Sequence, residues 1–361
     1  MKKIVLIVGT RPNYIKAFPV YNQLIKHSEF SVQIIHTGQH YDYAMNGIFF
    51  KELGIPEPHI SITLESTNEC GQLIEIMDKL HKIFIEIKPD LILVFGDVTS
   101  TLAGSLVANK MKIKLGHIES GLRSKDMTMP EETNRILVDS MADYLFVTEE
   151  SAIYNLNLEN IAERSQIFYV GNTMIDTLVK FIGKFDTVNN IIKKSISLND
   201  YIVLTIHRQS NVDNKQELTK IIMELNSICA EGYKFVFPIH HRTTKKIDEL
   251  GIKPHDNIMI ISPQSYLSFI NYVKNSKLVI TDSGGIQEET SYLGIPCITL
   301  RHNTERPVTL MSNGGSSCLS TIDNLATNIK KYYGKSFKTN IFLWDGKASE
   351  RIVSCIKSKI L

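Results

Sequence analysis

A turn of small and acidic residues, Thr281-Asp282-Ser283-Gly284-Gly285-Ile286-Gln287-Glu288-Glu289, carries the clearest chemical signal in the sequence. It follows the apolar run Leu278-Val279-Ile280, typical of a buried strand, and leads into a helical pattern from Glu288 to Leu293. Unpaired backbone N–H groups and the helix dipole make such an N-terminus a phosphate site. We therefore predict a diphosphate at Ser283-Gly284-Gly285 and a ribose at Glu289, less than a turn into the helix. A tight turn whose glycines only permit close packing is the alternative.

The first βα turn, Gly9-Thr10-Arg11-Pro12, contains one glycine, whereas a dinucleotide fingerprint needs three at that place. A tightly held nicotinamide is therefore not expected, and no cofactor is predicted. Arg11 and Lys16 follow the first predicted strand and could face anionic ligand oxygens, Arg11 as a two-pronged donor and Lys16 as a point charge. Exposed positions on the first helix are the alternative for both.

Three acidic residues lie at element ends in the first half of the chain. Asp97 and Glu119 each follow a β-rich apolar run, and Glu131 starts a helical segment with Arg135 one turn later on the same face. Carboxylates that converge at strand ends are typical acid/base groups, so we predict a catalytic site there. Helix capping by Asp97 and simple pairing of Glu131 with Arg135 are the structural alternatives.

In the second half, His207, His240 and Arg306 follow predicted strands. Histidine is a common metal ligand, but these histidines alternate with arginine rather than with cysteine or carboxylate residues. No metal site is predicted.

Length and composition limit the function classes. With 361 residues, two domains are expected. The composition is that of an ordinary soluble globular protein, and a net charge of +2 indicates no nucleic-acid partner. Five scattered cysteines favour a reducing compartment, and no segment approaches a membrane span. A cytoplasmic location is predicted.

Apolar β-rich runs alternate with helical stretches, a pattern that predicts two parallel, doubly wound α/β sheets. The domain boundary is placed at 171/172, before a polar stretch at 185–200, and the strand ends are expected to surround a central cleft. The predicted strands are Ile4–Val8, Val32–Thr37, Leu91–Phe95, Lys114–Ile118, Tyr144–Val147, Ile167–Val170, Ile202–Ile206, Lys234–Pro238, Ile258–Ile261, Leu278–Thr281 and Cys297–Leu300.

Taken in order, the motifs resemble those of the non-hydrolysing UDP-N-acetylglucosamine 2-epimerases along essentially the whole chain. The matching stretches are Gly9-Thr10-Arg11-Pro12 with Lys16, Thr37-Gly38-Gln39-His40, Gly96-Asp97, Gly116 to Arg123, Met129 to Arg135, Gly171-Asn172-Thr173, His207-Arg208, Thr281 to Glu289, Thr304 to Pro307 and Asp345 to Ser349.

This resemblance implies two Rossmann-like domains of the glycosyltransferase-B type, residues 1–171 and 172–346, with a last helix at 347–361 that packs back on the first domain. It implies a UDP-sugar substrate and a homodimer. The implied catalytic residues are Asp97, Glu119, Glu131, Arg135 and His207. The implied UDP-binding residues are Arg11, Lys16, His240, Ser283, Gly284, Gly285, Glu289 and Arg306, and a second UDP-sugar site would include Gln39 and His40.

The implied reaction is inversion at C2 of the sugar. The C2 proton is not acidic, so a carboxylate would remove it while UDP leaves C1, giving a 2-acetamidoglucal to which UDP adds again. The sequence does not decide which carboxylate is the base. The product would supply N-acetylmannosamine for surface polysaccharides such as a capsule.

Two departures from the family pattern affect finer predictions. Tyr41-Asp42-Tyr43 replaces a more basic or amide-rich stretch associated with activation by a second UDP-sugar, and Ser210 stands where relatives usually have Glu. Epimerisation of UDP-2,3-diacetamido-2,3-dideoxy-glucuronic acid is the main alternative activity. A hydrolysing epimerase, a glycosyltransferase and a nucleotide-sugar sensor are further alternatives.

Overall fold

The computed structural model describes residues 1–39, 53–184, 200–239 and 241–361. The predicted site residues His40 and His240, and the Tyr41-Asp42-Tyr43 departure, lie outside these ranges, as does the side chain of Ser210. The chain forms two compact units. Unit 1 comprises Met1–Lys180 and Phe342–Leu361, and unit 2 comprises Phe181–Ile341.

Unit 1 alternates strands and helices from its first residues. Its elements are β1 (Lys2–Val8), α1 (Arg11–Leu24), β2 (Phe30–His36), β3 (Ile60–Ser61), α2 (Glu69–Ile87), β4 (Leu91–Phe95), α3 (Thr99–Lys110), β5 (Lys114–Ser120), α4 (Pro130–Met141), β6 (Tyr144–Val147), α5 (Glu150–Leu158), β7 (Gln166–Tyr169) and α6 (Thr173–Phe181). The strands form a parallel sheet in the order β3-β2-β1-β4-β5-β6-β7.

Unit 2 repeats this plan on a smaller scale. Its elements are β8 (Ile202–Thr205), α7 (Gln209–Val212), α8 (Lys215–Ala230), β9 (Phe235–Pro238), α9 (His241–Glu249), β10 (Ile258–Ile261), α10 (Tyr266–Lys274), β11 (Leu278–Thr281), α11 (Gly284–Leu293), β12 (Cys297–Leu300), β13 (Ser317–Ser320) and α12 (Leu325–Tyr332). The order is β10-β9-β8-β11-β12-β13, again parallel.

Both sheets are doubly wound, and both are buried on two faces. Alternate residues of β8 illustrate this, because Ile202 and Leu204 belong to one apolar cluster while Val203 belongs to another. Each sheet also contains one point at which the strand order reverses, between β1 and β4 in unit 1 and between β8 and β11 in unit 2. Ligands of doubly wound sheets bind outside the carboxyl ends of the strands at this point.

The division between the units falls after Lys180, later than the predicted boundary at 171/172. Helix α6 stays with unit 1 because it is bonded to it: the Thr177 hydroxyl donates to the Ile15 carbonyl oxygen at 2.6 Å. The Asp176 carboxylate accepts the backbone N–H groups of Ala348 and Ser349 at 3.0 and 2.7 Å. These two residues begin the last α-helix, α13 (Ala348–Cys355).

Candidate active site

In unit 1, one buried asparagine ties together the two turns at the reversal point. The side-chain oxygen of Asn13 accepts the backbone N–H groups of Gly9 and Thr10, at 3.3 and 3.2 Å. Its amide nitrogen donates to the carbonyl oxygen of Phe95, the last residue of β4, at 2.9 Å. Asn13 therefore holds the turn that carries Arg11 and the turn that carries Asp97 in fixed positions relative to each other. Arg11 itself is half-buried at the first position of α1.

Lys16 and Glu119 form a buried ion pair beside these turns, with Nζ and Oε2 2.5 Å apart. Glu119 adopts a left-handed backbone conformation, φ +71°, and the pairing register of β5 shifts between Ile118 and Ser120. Such a bulge re-aims a side chain. The predicted strand end at Ile118 is therefore too early, and Glu119 lies within the strand at its irregular end.

Gly96 lets this ion pair approach the turn that follows β4. A Cβ atom at Gly96 would lie 3.3 Å from the Lys16 Nζ atom and 3.8 Å from the Glu119 Oε1 atom, and the backbone has a left-handed φ of +64°. Only glycine adopts that conformation readily and leaves the space open. The Lys16–Glu119 ion pair therefore lies against the turn that leads from β4 to Asp97.

Helix α4 holds Asp97 from the other direction. The Arg135 guanidinium pairs with the Asp97 carboxylate and, at 2.7 Å, with Glu132, while the Asn134 amide donates to the Asp97 carbonyl oxygen at 2.8 Å. Glu132 is buried and also accepts the backbone N–H groups of Ser124 and Lys125. Glu131 is exposed. The structure thus brings Asp97, Glu119 and Arg135 together and leaves the Glu131 carboxylate facing solvent.

Gln39 lies near the end of β2. Its side-chain oxygen accepts the backbone N–H and the hydroxyl of Ser100, at 3.2 and 2.7 Å. This contact anchors the start of α3.

In unit 2, Asp282 organises the two turns at the reversal point, a role that the sequence analysis missed. This fully buried carboxylate accepts the backbone N–H groups of His207 and Arg208, and it pairs with the His207 ring at 2.9 Å. Burial acts to raise the pKa of Asp282, but the His207 ring and the N–H donors outweigh it and the pKa is lowered. The sequence signal that could have indicated this role is the position of Asp282 as the first residue after β11.

Ser283 is the N-cap residue of α11, and its hydroxyl makes no capping hydrogen bond. Gly284 follows, and a Cβ atom there would come within 2.4 Å of the Arg306 Nη1 atom and 2.7 Å of the Glu305 Oε1 atom. Glycine is therefore required for Arg306 to reach the N-terminus of α11. Backbone N–H groups, a free capping position and a guanidinium meet at this point, as an anion site requires.

A chain of alternating charges supports this guanidinium. The Arg306 Nε atom donates to Glu288 at 2.6 Å, and Nη1 donates to Glu305. Glu305 also accepts a 2.7 Å bond from Arg301. All four side chains are buried. The Glu288 and Glu305 carboxylates therefore hold the Arg306 guanidinium from two sides.

Glu289 lies farther into the helix than predicted. Helix α11 begins at Gly284, so Glu289 is in its second turn, and the prediction of less than one turn is wrong. The side chain is buried, and its Oε1 atom has no hydrogen-bond partner. Burial raises the pKa of Glu289 to about 8; the charge of Glu288 adds to the effect and an interaction with the Tyr266 hydroxyl opposes it. This buried oxygen can accept a hydroxyl donor from a ligand.

Comparison with known proteins identifies the family. A family model described as UDP-N-acetylglucosamine 2-epimerase matches residues 22–357. The chain belongs to this family. A UDP-N-acetylglucosamine 2-epimerase of Methanococcus maripaludis is 40% identical and aligns over 99% of this chain and 98% of its own. The crystal structure of Methanocaldococcus jannaschii UDP-GlcNAc 2-epimerase in complex with UDP-GlcNAc and UDP has a TM-score of 0.91 at 38% identity, covering 98% and 99% of the two chains.

A further relative is the UDP-2,3-diacetamido-2,3-dideoxy-D-glucuronate 2-epimerase of Pseudomonas aeruginosa, 36% identical over 97% of this chain and 98% of its own. The predicted family, and with it the assignment to the epimerases, a class of isomerases, is confirmed. The predicted fold of two Rossmann-like α/β domains of the glycosyltransferase-B type is confirmed as well.

Within the described part of the chain, no helix is long and apolar enough to cross a bilayer. Among the same residues, no group of three or more His, Cys, Asp and Glu side chains is arranged to hold a metal ion.

Proposed function

We propose that this chain interconverts UDP-N-acetylglucosamine and UDP-N-acetylmannosamine. The observation that carries the proposal is the arrangement around Gly96, where Lys16 pairs with Glu119 and Arg135 pairs with Asp97. Two carboxylates, each held by a cation, are a suitable pair of groups for removing and returning a proton. They belong to a member of the UDP-N-acetylglucosamine 2-epimerase family.

The reaction proceeds by elimination and re-addition. One carboxylate takes the proton from C2 while the C1–O bond to UDP breaks, which gives a 2-acetamidoglucal and free UDP. UDP then adds back to C1 as C2 receives a proton on its other face. Asp97 and Glu119 are the proposed acid/base groups with Glu131, and Arg135 orients Asp97. No oxidation occurs, so no redox cofactor takes part.

The reaction also requires a site that stabilises the departing UDP. We assign its diphosphate to Ser283, the N–H groups of Gly284 and Gly285, and Arg306, with the ribose at Glu289. His207, Arg11, Lys16 and His240 are proposed to add to charge stabilisation. Preorganised donors of this kind stabilise the negative charge that develops on a leaving group, and the ion pairs of Arg306 support this assignment.

Proton NMR of the purified protein with UDP-N-acetylglucosamine tests the proposal. We expect a mixture with UDP-N-acetylmannosamine, without added nicotinamide or metal, and exchange of the C2 proton in deuterated water. Release of free N-acetylmannosamine would show a hydrolysing enzyme. Absence of both turnover and exchange would contradict the proposal.

A second substrate is supported by the similarity to the Pseudomonas aeruginosa relative. UDP-2,3-diacetamido-2,3-dideoxy-glucuronate differs from the first by a second acetamido group and a carboxylate. Comparison of kcat/KM for the two sugars decides between them, and we expect the N-acetylglucosamine nucleotide to be preferred.

We further propose a homodimer in the cytoplasm that supplies N-acetylmannosamine for surface polysaccharides. Light scattering of the purified protein tests the dimer. Loss of the polysaccharide on deletion of the gene tests the role in the cell.

A further inference from the structure

His117 is a completely buried histidine whose two ring nitrogens both contact acceptors. Its Nε2 atom lies 2.8 Å from the carbonyl oxygen of Gly96, and its Nδ1 atom lies 2.7 Å from the Asp139 carboxylate. A carbonyl oxygen only accepts hydrogen bonds, so Nε2 carries a proton. The ring therefore donates to the backbone of the turn that precedes Asp97.

Asp139 is held as a carboxylate by other donors. The Arg123 guanidinium and the backbone N–H of Gly121 both donate to its Oδ2 atom, at 2.7 and 3.0 Å. Burial acts to raise the pKa of Asp139, but His117 and Arg123 outweigh it and the pKa is lowered. The Nδ1 side of the His117 ring therefore contacts a carboxylate that is itself held in place by Arg123 and Gly121.

The Gly96 carbonyl group, which accepts the bond from His117, directly precedes Asp97, a proposed acid/base residue. The Gly96 N–H donates to the Ile118 carbonyl oxygen at 3.0 Å, so β5 holds Gly96 by both its backbone groups. On the other side, Asn134 holds the carbonyl oxygen of Asp97. The left-handed conformation of Gly96 is thus determined by contacts on each side of the peptide that leads to Asp97.

We propose that His117, held on its other side by Asp139, is a positioning residue for the reaction: its Nε2–H bond to the Gly96 carbonyl sets the place of the Asp97 carboxylate. This inference rests on the proposed function. It predicts that the Gly96 bond matters for turnover, whereas the Asp139 bond matters mainly for stability. A displacement of about 1 Å at a reacting group can cost roughly 10²-fold in rate.

Three variants distinguish the effect of the His117 bond to Gly96 from the effect of its bond to Asp139. In His117→Gln the side-chain amide can reach Gly96, and in His117→Asn it reaches only toward Asp139. In Asp139→Asn the neutral ring still donates to Gly96 while its Nδ1 atom accepts from the new amide. We expect kcat to fall about 10²-fold in His117→Asn and less than about tenfold in the other two, with the UDP dissociation constant unchanged in all three.

Thermal unfolding midpoints and a matched core variant, Leu145→Ala on the neighbouring strand β6, separate positioning from simple destabilisation. We expect Leu145→Ala to lower the midpoint and to keep kcat, and Asp139→Asn to lower the midpoint with a loss of kcat of less than about tenfold. Equal kcat values for His117→Gln and His117→Asn, or kcat values that follow the midpoints, would overturn the inference. If His117→Asn does not fold, the Asp139→Asn variant decides, because a 10²-fold loss of kcat there is incompatible with the proposal. Failure of the wild-type protein to epimerise any UDP-sugar would instead refute the proposed function.

Discussion

The ammonium group of Lys16 lies 2.5 Å from the Glu119 carboxylate, and both side chains are buried beneath the turn that carries Asp97. A buried ion pair costs desolvation energy that mutual attraction only partly returns, so such pairs are weak evidence for stability. This one lies at the carboxyl ends of β4 and β5, where doubly wound sheets bind ligands. We attribute it to catalysis.

Removing one member of the Lys16–Glu119 pair should destabilise the fold strongly, and removing both should destabilise it much less. Lys16→Met and Glu119→Gln each remove one member of this buried ion pair and should lower the free energy of unfolding by about 3–5 kcal/mol. The double variant should regain much of that loss. Glu119→Gln should also lower turnover by about 10²–10⁴-fold, and the double variant should not recover it. Urea titrations and kcat measurements check this, and recovery of activity in the double variant would show that the pair is only structural.

Glu131 and Glu132 form a matched pair of neighbours with different surroundings. Glu131 is exposed, so Glu131→Gln should leave the unfolding midpoint unchanged and lower kcat by about 10²-fold or more. Glu132→Gln removes the charge that faces Arg135 in the interior, so it should lower stability. Calorimetry and kcat on both variants test the contrast. Wild-type kcat in Glu131→Gln would remove this residue from the catalytic set.

Most of the fold could be predicted because buried parallel strands read as short apolar runs. Every predicted strand is present with ends within two residues. Within the described residues, two strands were not predicted. β3 has two residues, too few for a pattern, and β13 (Ser317-Cys318-Leu319-Ser320) is half serine. The hydroxyl of Ser317 lies buried because it bonds to the Thr299 hydroxyl at 2.8 Å, a contact that no sequence pattern contains.

The positions of the candidate site residues in the fold could be predicted, but the directions of their side chains could not. Strand ends identified Asp97, Glu119, His207 and Ser283, since local sequence determines where a strand stops. Adjacent helical residues point in different directions, however, and a Pro-Glu-Glu start does not tell which glutamate faces the interior. The supporting carboxylates Asp139 and Asp282 bond to groups far away in the chain, so only the tertiary structure shows their roles.

Gly284 should tolerate no side chain, because an added Cβ would meet the Arg306 Nη1 atom at 2.4 Å. Gly284→Ala must displace the guanidinium, so we expect UDP affinity to fall at least about tenfold, the loss of roughly one charge-assisted hydrogen bond. Gly183→Ala is the control, since nothing lies within 4 Å of its added Cβ. Isothermal titration with UDP measures both. Unchanged affinity in Gly284→Ala would place the diphosphate elsewhere.

Glu289 should make the free energy of unfolding decrease as the pH rises. Burial raises its pKa from 4.5 to about 8, so the folded chain keeps a proton that the unfolded chain has already lost. The unfolded state then binds fewer protons, and the free energy of unfolding falls as pH rises. This contribution is fully present below about pH 4.5 and is lost as the pH rises through about 8.

Glu289→Gln cannot ionise and should lack this dependence. The difference in unfolding free energy, wild type minus Glu289→Gln, should therefore decrease between about pH 5 and about pH 9, by on the order of a few kcal/mol. Glu249→Gln, which replaces an exposed glutamate in the same unit, is the control for the loss of one carboxylate. Urea denaturation at a series of pH values measures all three proteins. A constant difference across this range would mean that Glu289 is already ionised in the folded chain, and its buried oxygen would then need a donor that the folded chain itself supplies.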